Sequence, residues 1–417
     1  MILGKLPEPR HACLSNFLDT DSQIIDQGIA LYFPAPNSYT GEDILELQGH
    51  GGPAVMDLLL NRCLSAGARL AQPGEFTLRA YLNNKIDLIQ AESVAAIIEA
   101  STHEAARCAI NSLQGRFSAR IEELASLLIA LRMLIEAILD FPEDEIDNLQ
   151  ALQIKERLNH INSLLEQIFD AARQGNLLQE GIKLVLVGAP NVGKSSLLNQ
   201  LVEDDAAIVT EIPGTTRDTI QRTIAIAGIP IHIIDTAGLR ETSDIVEQKG
   251  IERTHTAIRS ANLVLHLIDS SQHQPDTKDQ IQKCIPSDKP LITVFNKIDL
   301  LGTQSRIEGK KTDIRIHISA KTGEGIELLR KKILDIAGWQ FNQTCEGVFM
   351  ARQRHLEALT QAKKHLRNAQ RFTANESQLE LLAEELRLAQ CALSAITGKF
   401  TADDLLGEIF SHFCIGK

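Results

Sequence analysis

The chain has 417 residues, 44% of them apolar, and carries 54 acidic against 42 basic side chains for a net charge of −12 at pH 7. That length bounds it at roughly two to four domains with packed cores, and the acidic balance excludes a protein that holds nucleic acid by its global field, so any RNA contact must be local or borrowed. Seven scattered cysteines (Cys13, Cys63, Cys108, Cys284, Cys345, Cys391, Cys414) include no C-x-x-C pair, which argues against a disulfide framework or zinc site and for a reducing cytoplasm.

Residues 1–83 mix strand-like pieces such as Gly28 to Phe33 with Pro- and Gly-rich turns at Pro34-Ala35-Pro36-Asn37 and Gly49-His50-Gly51-Gly52-Pro53, which predicts a small α+β domain. Between those turns, Thr40 to Gln48 reads either as a solvated strand edge with Ile44 and Leu45 packed or as a ligand site. Pro53 suits the first position of a helix running to Leu64. Residues 84–180 turn helical, most clearly where Ile154, Leu158, Ile161, Leu165, Ile168 and Ala172 recur at alternating intervals of four and three, with Gly175 and Gly181 punctuating the end. The longest apolar stretch, Ala125 to Phe141, is broken by Arg132 and Glu136, and the start of the chain has no basic-then-apolar pattern, so neither a membrane span nor export is expected.

Residues 181–338 alternate strands with helices. Strand-like runs at Lys183–Val187, Thr223–Ala227, Ile231–Ile234, Leu263–Ile268, Leu291–Phe295 and Ile314–Ile318 predict a doubly wound α/β sheet with a nucleotide at the strand C-termini. Residues 339–417 return to helix, and Leu379, Leu382, Leu386, Ala389, Leu393 and Ile396 form a second apolar seam ending at Gly398. One α-helical bundle built from both flanks, with the α/β domain inserted into it, is the economical topology.

The motif on which this organisation turns is Gly188-Ala189-Pro190-Asn191-Val192-Gly193-Lys194-Ser195-Ser196, between a buried strand and a helix start. Polyphosphate needs several backbone N–H donors aimed at it, which glycines allow at close range. Lys194 then reaches the β- and γ-phosphates and Ser195 ligates Mg²⁺, the chemistry of a P-loop. Asp235-Thr236-Ala237-Gly238 supplies a carboxylate for the magnesium shell and a glycine N–H for the γ-phosphate. Pro213-Gly214-Thr215-Thr216-Arg217-Asp218 supplies a loop whose Thr216 completes that shell. In Asn296-Lys297-Ile298-Asp299, Asp299 can accept from guanine N1–H and its amino group, which adenine lacks, and Ser319-Ala320-Lys321 closes the base pocket; GTP is the predicted nucleotide. Leu239 stands where many small GTPases carry a water-orienting glutamine. Water activation is left to Glu241, Asp244 or Glu247, each of which also reads as a surface carboxylate.

Taken together, P-N-V-G-K-S-S, P-G-T-T-R-D, D-T-A-G-L-R-E and N-K-I-D resemble the translation-factor-related GTPases with a hydrophobic residue in place of the catalytic glutamine. With Thr40-Gly41-Glu42-Asp43, Gly49-His50-Gly51-Gly52-Pro53, Pro73-Gly74-Glu75-Phe76-Thr77, Phe141-Pro142-Glu143-Asp144 and the terminal Phe413-Cys414-Ile415-Gly416-Lys417, the whole chain resembles the MnmE (TrmE) family of tRNA-modification GTPases. The resemblance implies a potassium-activated GTPase, dimeric through its N-terminal domain, that works with an FAD-bearing MnmG (GidA)-type partner to install a carboxymethylaminomethyl-type group on the wobble uridine (U34) of tRNA, using a formyl- or methylene-type tetrahydrofolate donor. It makes Asn191, Thr210, Ile212 and Thr215 potassium ligands, Glu247 the residue that orients water, and Glu46, Lys85 and Lys417 folate contacts. Val192, Gly193, Ser196, Gly238, Ala320 and Lys321 complete the nucleotide-contacting set, and Cys414 falls on the family's tail pattern, which makes it a candidate catalytic residue, with a small buried apolar role as the other reading. Gly416 and Lys417 do not suit a prenylation box. Family members ordinarily begin with a further segment carrying a Pro-Gly-Arg-Gly-Gly turn and a folate-contacting arginine, so residues 1–83 are expected to be an incomplete folate-binding and dimerisation domain.

The alternative is a GTP-dependent RNA or ribosome-assembly switch without modification activity, for which an RNA-binding appendage would be expected; no K-homology-like G-x-x-G module is apparent. The basic run Arg352, Arg354, Lys363, Lys364, Arg367 and Arg371 reads as an RNA or partner patch or as an exposed helix face.

Overall fold

The computed structural model describes residues 2–140, 148–202, 222–235, 256–271, 285–286, 289–309, 313–340, 347–372 and 378–398. At the N-terminus, β1 (Cys13–Leu18), β2 (Ile24–Phe33) and β3 (Ile44–Gln48) form an antiparallel sheet in that order, followed by α1 (Pro53–Ser65) and α2 (Glu75–Leu82). Phe17, Ala30 and Leu59 are its small core. The edge strand does not pack as its composition suggests: Leu47, paired with Ala30, lies against that core, whereas Leu45, two residues away on the same face, is 44% exposed.

Four helices follow: α3 (Leu88–Glu99), α4 (His103–Leu113), α5 (Arg116–Asp140) and α6 (Asn148–Glu180). Asp87 caps α3 in a reciprocal box with Gln90, and Thr102 caps α4 by accepting from Ala105 N–H. Beyond the inserted domain come α9 (Gln353–Phe372) and α10 (Leu379–Thr397). The seam on α6 and the seam on α10 meet in one core with Leu124, Leu128, Leu131 and Ile135 of α5 and Leu359 and Leu366 of α9. Residues from both sides of the insertion therefore form a single helical domain. No described helix is long and apolar enough to cross a membrane.

Gly175 does not end α6; it lies inside it. A Cβ there would overlap the Phe349 carbonyl, because the returning segment 347–351 runs directly over this turn of the helix. Asn176 Nδ2 donates to Ala351 O at 3.1 Å, Asn111 Nδ2 to Val348 O at 3.1 Å, and Phe349 stacks on Phe117 with centroids 4.2 Å apart. The helix ends instead at Gly181, with φ +67. Gly175→Ala, which would ordinarily favour a helix, should here destabilise by about 1–3 kcal/mol. Urea denaturation measures this, and an alanine variant as stable as the parent would contradict the close crossing.

A buried charge cluster fastens α3 to α9. Glu92, fully buried, accepts from Arg354 Nε and Nη2, both at 2.8 Å, and lies 3.1 Å from Nε2 of the equally buried His355. Arg352 N–H donates to His355 Nδ1, so the ring proton sits on Nε2, facing Glu92. Arg354 also caps α10 through the carbonyls of Ala395 and Ile396. Half of the expected basic face is thus turned inward: Arg352 and Arg354 face Glu92, and Lys363 pairs with Glu166, leaving Lys364, Arg367 and Arg371 exposed.

The inserted domain holds β4 (Ile182–Val187), α7 (Lys194–Val202), β5 (Arg222–Ile226), β6 (Ile229–Asp235), β7 (Leu263–Asp269), β8 (Leu291–Asn296), β9 (Arg306–Glu308), β10 (Ile314–His317) and α8 (Ile326–Ala337) among the described residues. The sheet order is β5-β6-β4-β7-β8-β10-β9, with β5 and β9 antiparallel edges on a parallel centre. β9 is a strand the apolar pattern does not announce, since all three of its residues are exposed. Along β4, Leu184 and Leu186 enter one core and Val185 and Val187 the other, as a central strand covered on both faces requires. The first of these cores runs on into Cys108, Ala109, Leu178 and Met350, so the inserted domain is packed onto the helical one.

Candidate nucleotide site

The central strand delivers the chain to Gly188 at the C-terminal edge of the sheet, and α7 starts six residues later at Lys194. The first-turn N–H groups of a nine-residue helix have no intrahelical acceptors, and together with its dipole they favour an anion. Gly193 has φ +98, and a Cβ there would overlap Asn296 Nδ2; only glycine fits between the phosphate loop and the end of β8. Asn191 takes φ +63 without being glycine, the backbone cost of the tight loop. Lys194 Nζ donates to Gly188 O at 2.7 Å, which folds the ammonium over the loop. Ser195 and Ser196 are exposed at the helix start.

The other half of the site is built from the ends of β7, β8 and β10. Asn296, 2% exposed, donates from Nδ2 to Val192 O at 2.8 Å and accepts from Ala320 N–H at Oδ1 at 2.8 Å. One side chain thereby joins the phosphate loop, N-K-I-D and Ser-Ala-Lys. Asp299 lies in a 3₁₀ turn (Ile298–Leu300) and accepts from the fully buried Ser319 Oγ at 2.7 Å, while Ser319 Oγ accepts from Thr322 N–H at 3.2 Å. The half-buried Asp299 carboxylate is thus oriented while keeping acceptor capacity for a further donor pair. Lys297, at φ +69, donates from Nζ to Asp269 Oδ2 at 2.6 Å; Asp269 Oδ1 accepts from Ser271 N–H at 2.9 Å and Ser271 Oγ at 2.6 Å. Burial alone would raise the Asp269 carboxyl, but the Lys297 and Ser271 bonds outweigh it and hold it below its ordinary value. Lys321 is exposed beside Ala320. Phosphate donors at one end and a fixed carboxylate at the other, at the C-termini of parallel strands, suit a nucleoside polyphosphate.

Asp235 closes β6, in register with Leu186 of the neighbouring strand. Thr210, Ile212, Thr215, Thr216, Gly238, Glu247, Cys414 and Lys417 lie outside the described residues. Among the sequence candidates the structure therefore brings together Asn191 to Ser196 with Asn296, Lys297, Asp299, Ser319, Ala320 and Lys321. Asp269 and Ser271 are not among the sequence candidates, although an aspartate directly after the apolar run Leu263–Ile268 ends at the same sheet edge as the other motifs.

Lys85 and Glu46 belong to the N-terminal domain. Lys85 Nζ donates to Pro36 O at 3.0 Å, and its stem lies against Gly41. Glu46 sits exposed on the edge strand and accepts from Gln48 Nε2 at 3.3 Å. The T-G-E-D and P-G-E-F-T segments converge here. Tyr39 OH and Thr77 Oγ1 are 3.0 Å apart, Asn83 Nδ2 donates to Thr40 O at 2.8 Å, and Arg79 bridges Glu42 and Glu75. The Arg69 guanidinium, helped by the Gln72 N–H, holds the Glu75 carboxyl down at about 2.

A family model of the MnmE helical domain matches residues 88–414, and one of the GTP-binding protein TrmE N-terminus matches residues 2–85. The chain is similar to the tRNA modification GTPase MnmE of Nitrosomonas eutropha, at 64% identity over 416 residues, covering 100% of this chain and 92% of the relative. It is also similar to proteins of that name from Nitrosospira multiformis, at 59% identity with 100% and 92% covered, and Thiobacillus denitrificans, at 56% with 100% and 91% covered.

Proposed function

The chain belongs to the MnmE family of tRNA modification GTPases, and from that premise we propose that it hydrolyses GTP to drive modification of the tRNA wobble uridine (U34) together with an FAD-dependent MnmG-type partner. The product is a carboxymethylaminomethyl-type group. The observation that supports the nucleotide half of this reading is the position of Asn296, bonded at once to Val192 of the phosphate loop and Ala320 of the base loop, with Asp299 held by Ser319. In this reading residues 181–338 are the G domain, 84–180 and 339–417 the helical domain, and 1–83 the folate-binding and dimerisation domain, in a cytoplasmic homodimer.

The residue roles follow. Lys194 moves from Gly188 O to the β- and γ-phosphates, for which a lysine over a helix N-terminus is suited. Ser195, Thr216 and Asp235 hold Mg²⁺, which supplies charge neutralisation on the phosphate oxygens. Asn191, at its left-handed backbone position, joins Thr210, Ile212 and Thr215 around K⁺. Glu247 orients the attacking water in place of the glutamine that Leu239 replaces, with Thr216 beside it in the catalytic set. Glu46, Lys85 and Lys417 contact the tetrahydrofolate derivative, and Cys414 serves the modification centre.

GTP turnover should rise when K⁺ replaces Na⁺ at equal ionic strength. In K⁺, Glu247→Ala should retain GTP binding while turnover falls by roughly 10²- to 10⁴-fold. Equal rates in both salts would remove the K⁺ site, and unchanged turnover in the variant would return the water to Glu241 or Asp244.

A further inference from the structure

We infer that Asp269 is a positioning residue of the base pocket: it holds the Lys297 ammonium so that the lysine stem is a preformed wall for the nucleotide base. The inference rests on the reading that residues 296–299 receive guanine. The last β7–β8 pair places Asp269 opposite Asn296, and Ser270 N–H donates to Asn296 O at 2.9 Å, so the end of β7 is fixed to the N-K-I-D loop by backbone alone. On that base the Asp269 carboxylate, 6% exposed, is held by both donors of Ser271 and turns its second oxygen to Lys297 Nζ at 2.6 Å.

Lys297 begins from a left-handed backbone position and is 31% exposed along its side chain. Its two ends are thus defined, one by the loop that carries Asp299 and the other by the end of β7. A lysine stem is apolar and otherwise free to sample many rotamers, and ordering it upon binding would subtract from affinity. With the ammonium already held, that ordering is complete before nucleotide arrives. A wall contacts the face of a base, whereas Asp299 reads its edge. Loss of the tether should therefore weaken all purine nucleotides that share the edge contact by one factor, without changing which is preferred.

The test is equilibrium binding of fluorescent GDP to the full chain, with competition by GDP and by IDP, which lacks the 2-amino group. Asp269→Asn keeps shape and should weaken GDP and IDP alike by roughly three- to tenfold, mostly through faster dissociation. Lys297→Met reads the same tether from its other end and should lose a similar factor. Adding Asp269→Asn to Lys297→Met should cost nothing more. Unchanged affinity in either single variant, an equal loss from Asp269→Asn in both backgrounds, or a shifted GDP-to-IDP ratio would overturn the inference. Asp299→Asn separates the two levels: if it leaves guanine binding intact, the site reading itself fails, whereas guanine loss there without Asp269–Lys297 coupling sinks only the tether.

Discussion

Asp299→Asn should lower GDP affinity by roughly two to four orders of magnitude and give the chain a preference for xanthine nucleotides. The carboxylate accepts from Ser319 Oγ on one oxygen, which orients the group while leaving it able to receive guanine's adjacent N1–H and amino donors. An asparagine keeps the shape and replaces one acceptor by a donor, so the guanine amino group meets another N–H and is left unpaired in a partly buried site. Xanthine carries a carbonyl where guanine carries that amino group, and it restores both hydrogen bonds. Competition of GDP and XDP against a fluorescent nucleotide reads the switch. A variant that still prefers guanine would remove Asp299 from the base pocket.

Glu92→Ala should destabilise the helical domain by about 3–5 kcal/mol. The substitution leaves Arg354, Arg352 and His355 converging on a site from which their one carboxylate has gone. Arg354 would also lose the partner that orients it onto the Ala395 and Ile396 carbonyls, so α10 should fray first. The exposed Glu384–Arg387 pair on α10, with similar distances, should be hard to detect in the same experiment because solvent screens it. Acid should act on the same cluster in two stages. Burial, reinforced by Arg354, lowers the His355 pKa, so below about 6.5 the unfolded chain takes up a proton that the native one refuses and stability falls with pH. Burial would raise the Glu92 carboxyl, but His355 and Arg354 hold it well below its ordinary value; its contribution is present above about 4.3 and is lost as pH falls further. Urea unfolding of Glu92→Gln across that range should show a shallower decline below about pH 4.3 than the parent. An identical decline would place the acid sensitivity elsewhere.

Features written in local pattern were legible in the sequence, and features that depend on distant partners were not. The seams Ile154–Ala172 and Leu379–Ile396 are recognisable because a helix must repeat its apolar face every three or four residues, and every residue of both seams is buried. The nucleotide loops are recognisable because phosphate and guanine dictate residue types at fixed spacings. Gly175 carries no local sign of its role because the same residue type serves helix ends and close crossings, and the choice is made by Phe349, far along the chain. Arg352 and Arg354 read as an exposed basic face because the Glu92 that α3 brings to them is far off in the chain, 262 positions from Arg354. β9, three exposed residues at a sheet edge, carries no burial pattern to detect. Leu45 and Leu47 share a face, and only the cover over the sheet decides which of them is partly buried.

Mass analysis of wobble nucleosides shows whether the nucleotide site in the inserted domain is linked to chemistry on tRNA. Total tRNA from cells lacking this chain should be depleted of carboxymethylaminomethyl-type uridines at position 34. Re-expression of the parent should restore them and re-expression of Asp299→Asn should not. A normal complement of these nucleosides in the deleted cells would exclude that link.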